Sequence, residues 1–308
     1  MRHDGLDPYI YARFEEGYLI MAIPEQKKTE ESCWSSDHLK WLKDTGERLT
    51  TADGISVEVW EFCHEKDDSV LSSWARHFRN HYCFDVEIDY LRKGYGFSRA
   101  EYLNKIKFPD PTVAPGPGVR SGDFGEILIA DYLEFFLGFW VPRVRYGLKV
   151  IADESSKGCD TLGFLFAKKG EESLNDIMVV YETKARLTAD QLTDGKKLSG
   201  IQAAINGSAK DKLRIAESLN YIKQRFFDKQ NLADADRIER FQNLDDRPYT
   251  EIYGAAALYS FDSFIPETIS SAITNDHPKK DSLRLIIIKG EKIMDLVHEL
   301  YERAANEA

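Results

Sequence analysis

"IMVVYETKAR", residues 177–186, is the stretch on which the reading of this chain turns. Its first five residues are apolar or aromatic without a break, the composition of a strand buried on both faces. Glu182 and Lys184 then follow inside the same run. Strand side chains alternate, so these two charges share one face and Thr183 turns to the other. Burying either charge alone costs on the order of several kcal/mol. A structural explanation must therefore supply ionic partners, and a functional one supplies a metal ion and a phosphate.

Working outward, the nearest upstream carboxylates are Asp160 in "KGCDTLGF" (157–164) and Glu126 in "GDFGEIL" (122–128). The first sits early in a preceding strand pattern and the second in an apolar-striped helix. Adjacent strands put Asp160 within reach of Glu182, and the helix can bring Glu126 over the same strand ends. Three converging carboxylates repel one another unless a divalent cation lies among them, and hard oxygen ligands suit Mg²⁺ or Mn²⁺. Each residue also has a plainer reading. Glu126 stands three after Asp123, the spacing of a helix capping box. Asp160 can cap a turn after Gly158. Glu182 and Lys184 can pair with each other.

The order of elements gives an α/β layout with helices on both sides of a mixed sheet. Upstream, residues 18–23 and 55–62 read as strands and 69–82 as a helix. Residues 108–122, "FPDPTVAPGPGVRSG", carry the prolines and glycines of a loop. The pattern then predicts a helix over 123–137 with Gly138 as its C-terminal cap. It predicts strands at 143–151, 158–167 and 176–184, one long helix over 208–229, strands at 251–260 and 283–289, and a closing helix over 291–305. The expected division is an N-terminal domain at 1–110, a Pro/Gly-rich linker at 111–122 and a second domain at 123–308.

The chain has 308 residues, 43% of them hydrophobic, enough for a sizeable core. No apolar run approaches the length of a membrane span, the start lacks a signal-like apolar region, and the four cysteines show no CxxC spacing. A cytoplasmic protein with reduced thiols is the expectation. The net charge of −11 opposes general coating of nucleic acid. Residues 184–230, however, hold ten Lys/Arg against five Asp/Glu, so this stretch is +5 and the remainder −16. It reads either as a solvated helix face or as a local grip on a polyanion. Lys196, Lys197, Lys210, Lys212 and Arg214 are its candidate polyanion contacts, with Arg120 and Arg186 beside the carboxylates.

Two further motifs compete. Cys63, His64, His77, His81 and Cys83 offer zinc-ligand types, with the last two histidines four apart on a helix, but in no finger pattern and among core-type aromatics. "PGPGVRSGDFG" (115–125) is glycine-rich yet lacks GxxxxGK[ST], which argues against nucleotide hydrolysis in this chain.

A helix acid, then an Asp, then Glu-x-Lys on the next strand resembles the PD-(D/E)xK nuclease superfamily, although Cys159 stands where the proline of that motif would be. A closer resemblance runs along most of the chain. "WARHFRNHYC" (74–83), "SRAEYLNKIKFPD" (98–110), "PGPGVRSGDFGEILIADYLE" (115–134), "WVPRVRY" (140–146) and "GCDTLGF" (158–164) look like the HamA nucleases of Hachiman-type bacterial anti-phage systems, with AbpA similar. The resemblance implies a restriction-endonuclease-like core preceded by a smaller α+β N-terminal domain, with an accessory or docking role for residues 1–110 and a nuclease role for 123–308. It implies a Mg²⁺- or Mn²⁺-dependent deoxyribonuclease with Glu126, Asp160, Glu182 and Lys184 as catalytic residues and the Thr183 carbonyl as an added metal ligand. It also implies a superfamily-2 helicase partner, HamB-like, that restrains cutting. The alternatives are a nuclease-fold adaptor without activity, which the intact residue set disfavours, and a repair or junction-resolving nuclease.

Overall fold

The computed structural model describes residues 34–147, 149–168, 170–188 and 199–308. The strand expected at 18–23 and the lysines at 196 and 197 lie outside them. After a short helical turn at Asp37–Trp41 come strands β1 (Leu42–Thr50) and β2 (Ser56–Phe62). Helices α1 (Asp68–Tyr82), α2 (Asp85–Arg92), α3 (Arg99–Tyr102) and α4 (Gly116–Asp131) follow. Strands β3 (Thr161–Leu165) and β4 (Ile177–Arg186) precede helices α5 (Gly200–Asp211), α6 (Ile215–Asp228) and α7 (Leu232–Glu239). The chain closes with β5 (Thr250–Ser260), α8 (Pro266–Ser270), β6 (Leu283–Gly290) and α9 (Ile293–Asn306).

The strands form one mixed sheet in the order β1-β2-β6-β5-β4-β3. The pairs β2/β6, β6/β5 and β5/β4 are parallel, and the outer pairs β1/β2 and β3/β4 are antiparallel. Parallel strands need cover on both faces, and the sequence supplies it. Along β4, Ile177, Val179 and Tyr181 enter one core with residues of α1, α4 and α9, and Met178 and Val180 enter a second with α5 and α6. Ala255, Ala256 and Ala257 on β5 are all fully buried. At Gly254 a Cβ would overlap the Tyr181 ring of the neighbouring strand, so glycine is required by close approach.

The mixed sheet flanked by helices is the layout that the element order indicates. β1 and β2, from the segment assigned to an accessory domain, are hydrogen-bonded into the same sheet through β6. Helix α1 packs on α9, where the Tyr82 and Tyr301 hydroxyls meet at 2.5 Å and Arg79 donates to the Ala304 carbonyl at 3.0 Å. No local pattern within residues 1–110 shows this long-range pairing.

Three element assignments need correction. Helix α4 begins at Gly116, seven residues before the expected start and inside the stretch assigned as a linker. Pro117 falls in its first turn, where a missing N–H breaks no helical bond. Asp123 is therefore not a helix cap: it accepts from the Tyr82 hydroxyl at 2.7 Å and pairs with Lys149. The described residues of 143–151 form no strand. The side of β3 away from β4 carries a single bridge, Trp140 to Phe164, and the alternating arginines and apolar residues serve a loop. The helix expected over 208–229 is two helices, α5 and α6. They are separated by Lys212, Leu213 and Arg214, with neither Gly nor Pro to mark the break. Gly138 does follow the end of its helix at φ 76°, the left-handed region where glycine is favoured.

Candidate active site

Strand β3 is short and pairs with β4 only as far as Thr161 opposite Tyr181. Beyond that point, among the described residues, the edge of β4 has no strand partner on this side. Asp160, the residue just before β3, fills the gap: its Oδ2 accepts from the Thr183 backbone N–H at 3.0 Å. The carboxylate thus satisfies a main-chain donor that an open edge would leave exposed.

At this edge the two faces of the sheet meet. Thr183 points to α4, where a Cβ on Gly125 would lie 3.2 Å from its Cγ2. Glu182 points the other way, onto α5, where a Cβ on Gly207 would overlap its carboxylate. Lys184 follows on that same face, as strand alternation requires. Its Nζ pairs with Glu182, donates to the Thr183 carbonyl at 3.2 Å and lies 3.9 Å from Asp160 Oδ2. Glu182 Oε2 is buried and has no hydrogen-bond partner.

Glu126 reaches the site from α4, on the opposite face. It is held by Arg145, whose Nε lies 2.9 Å away, and by the Tyr146 hydroxyl at 2.6 Å. Arg145 Nη2 reaches Asp160 Oδ1 at 3.0 Å. The structure therefore joins Asp160, Glu182, Thr183 and Lys184 directly, and Glu126 through Arg145. Among the described residues, Glu126, Asp160 and Glu182 do not bring one ligand atom each within 4.8 Å of one another. A cleft of about 560 Å³ opens here, lined by Glu126, Asp160, Thr183, Lys184, Arg186 and Arg214 among others.

Burial pushes Glu126 up to about 8, with the Asp160 and Asp123 charges adding and Arg145 opposing. Burial likewise raises Glu182, with Asp160 adding and Lys184 opposing. Burial pulls the Lys184 ammonium down, but Asp160 and Glu182 together take it above its ordinary value. The two carboxylates thus favour the charged form of Lys184.

The other expected contacts divide. Lys210 and Lys212 are exposed on the last turn of α5 and just beyond it, and Arg214 and Arg186 are half-buried beside the cleft. Arg120 is a correction: only 5% exposed, it donates to the Pro109 carbonyl at 2.7 Å and stacks on Tyr301 at 4.3 Å, so no phosphate reaches it. The zinc-type residues separate too. Cys63 bonds to Glu61, and Cys83 lies by the Phe84 carbonyl. His77 and His81 meet Asp131 instead, the only described His/Cys/Asp/Glu group with ligand atoms within 4.8 Å. Arg143 is already 2.7 Å from Asp131 and 2.8 Å from His81 Nε2, which supplies the positive charge that a cation would bring.

Residue-level reading of the sequence missed Arg145 and Tyr146, which lie in the segment assigned as a strand. It also missed Asp211, which counted only as a charge in the basic stretch. The arginine alternation at 143 and 145 is the one signal that could have singled out the first.

Fold and site together define an α/β protein with a carboxylate–lysine cleft at an open edge of a mixed sheet. A model of the HamA family matches residues 36–304, nearly the whole chain. The chain belongs to the HamA family and is thereby a protein associated with Hachiman defence. No curated protein matches it. No helix among the described residues is long and apolar enough to cross a membrane.

Proposed function

We propose that this chain is a Mg²⁺- or Mn²⁺-dependent deoxyribonuclease, worked with and restrained by a superfamily-2 helicase of the HamB kind. The observation that carries the reading is the meeting of Asp160, Glu182, Thr183 and Lys184 at one strand edge, open to a cleft. The donor set fits a hard divalent cation: carboxylate oxygens and a main-chain carbonyl, with one buried oxygen of Glu182 unpartnered. Asp160, Glu182 and the Thr183 carbonyl would hold the ion, with Glu126 alongside. A cation there supplies Lewis acidity to the scissile phosphate.

The chain's own groups do the rest. Lys184, fixed by Glu182 and the Thr183 carbonyl, points its ammonium into the cleft and offsets the charge that grows on the phosphate in the transition state. Arg145 holds Glu126 and Asp160 in place. Lys210, Lys212, Arg214 and Arg186 contact the backbone, which gives affinity that falls with salt and carries little sequence information. The net charge of −11 discourages binding elsewhere on the surface and leaves room for a partner to decide when DNA enters.

The test is plasmid digestion by the chain with Mg²⁺, alone and with a HamB-like helicase. Cleavage that needs the metal, is gated by the helicase and ATP, and disappears in a folded Lys184→Ala protein supports the reading. Wild-type cleavage by that variant would sink it. Metal-independent binding of DNA without any cutting would favour an adaptor.

A further inference from the structure

Asp211 is the last residue of α5, one turn beyond Gly207, whose missing Cβ makes room for Glu182. Residues four apart share a helix face, so both stand over the same part of β4. The Asp211 side chain has no exposed surface, and the Cys159 thiol, a weak donor, is the one hydrogen-bonding group beside its otherwise unpartnered oxygens. The nearest cation is Arg214, at 3.7 Å. The Asp211 main-chain carbonyl lies 3.8 Å from the thiol of Cys159, the neighbour of Asp160. Glu182 and Asp160 are the charges that act on it most strongly.

A buried carboxylate with only a weak thiol donor and a distant guanidinium is costly, and here it is repelled by a second one, Glu182, whose Oε2 is unpartnered. Structural ion pairing does not account for three orphan oxygens. A hard cation does, because it removes both the repulsion and the missing bonds. Glu126 comes from the opposite face of the sheet, held by Arg145 and Tyr146, whereas Asp160, itself held by Arg145 and the Thr183 N–H, stands at the strand edge beside Glu182.

We propose that Asp211 is a further carboxylate ligand of the divalent cation held by Asp160 and Glu182, whose binding draws together ligand atoms that otherwise do not all lie within 4.8 Å of one another. This rests on the metal-dependent reading of the site given above. The third carboxylate of the metal set then comes from α5, on the face of Glu182, and Glu126 serves beside the metal as the partner of Arg145.

The experiment is a titration of Mn²⁺ into the full chain, with free Mn²⁺ read by electron paramagnetic resonance, and no substrate present. Asp211→Asn keeps the size and removes the charge. It is expected to weaken Mn²⁺ binding about tenfold or more, and to shrink the rise in melting temperature that Mn²⁺ causes. Asparagine also mimics a neutral aspartic acid, so unchanged Mn²⁺ affinity in the variant overturns the proposal. If Asp211→Asn does not give the wild-type circular dichroism spectrum, Asp211→Ser is read in the same way. A wild-type chain that binds no Mn²⁺ overturns the metal reading of the whole site, and shows itself before any substitution is made.

Discussion

Arg145 Nε lies 2.9 Å from Glu126 Oε2, in a pair where each side chain keeps about 15% of its surface or less. The same guanidinium reaches Asp160 and the carbonyls of Ser156 and Cys159. One loop residue thus joins the carboxylate on α4 to the one at the strand edge.

Removing one partner from a buried ion pair leaves the other charge uncompensated. Arg145→Gln is expected to lose about 3–5 kcal/mol of stability, read as a lower urea midpoint. Added Mg²⁺ recovers part of the loss by replacing the missing positive charge. A variant as stable as wild type without metal would mean that the pair is not a structural element of the site.

Gly207→Ala places a methyl group against the Glu182 carboxylate. Overpacking of this kind costs about 1–3 kcal/mol. Because the displaced group is the proposed metal ligand, nuclease activity should fall further than stability does. Thermal melting and a metal titration on the same sample separate the two effects.

The basic residues are expected to split by burial. Lys210→Ala with Lys212→Ala leaves the melting temperature unchanged, lowers DNA affinity and reduces the salt slope by about one per lysine. Arg120→Ala instead loses about 2–4 kcal/mol of stability, from its stacking on Tyr301 and its bond to Pro109. Its DNA affinity per folded molecule stays at the wild-type value.

Acid lability should come from the buried cluster around Asp131. Burial lowers His77 from 6.5 to about 4, with Asp131 opposing and Arg143 and His38 adding. Burial and Arg143 also take His81 well below its ordinary value. The unfolded chain binds protons that these histidines refuse in the fold. Their contribution is present in full above pH 6.5 and is lost as the pH falls through about 4. Asp131, held well below its ordinary value by His77 and Arg143 against its burial, loses stability in the same direction. Urea midpoints from pH 8 to 4 should fall steeply, and His77→Gln should flatten the slope. An equal slope in that variant would assign the lability elsewhere.

The sequence alone determined the strands of the sheet from 177 onward, the two-sided apolar cover of β4, and the charged pair at its end. These are local facts: a run of apolar residues and a two-residue period dictate which side chains share a face. The family was legible for the same reason, in short motifs of adjacent residues.

Tertiary structure decided the rest. Whether 143–151 became a strand depended on a neighbour that β3 does not have, and the loop instead delivers Arg145 to the cleft. Whether 208–229 stayed one helix depended on what its buried face met, and Asp211 ends α5 against Glu182. The place of β1 and β2 in the sheet rests on pairing with β6, more than two hundred residues later. Arg120 and Lys210 carry the same charge in the sequence, and only burial separates a packing residue from a surface contact. Charge and periodicity are written in the chain one residue at a time, while solvent exposure and long-range pairing exist only after it folds.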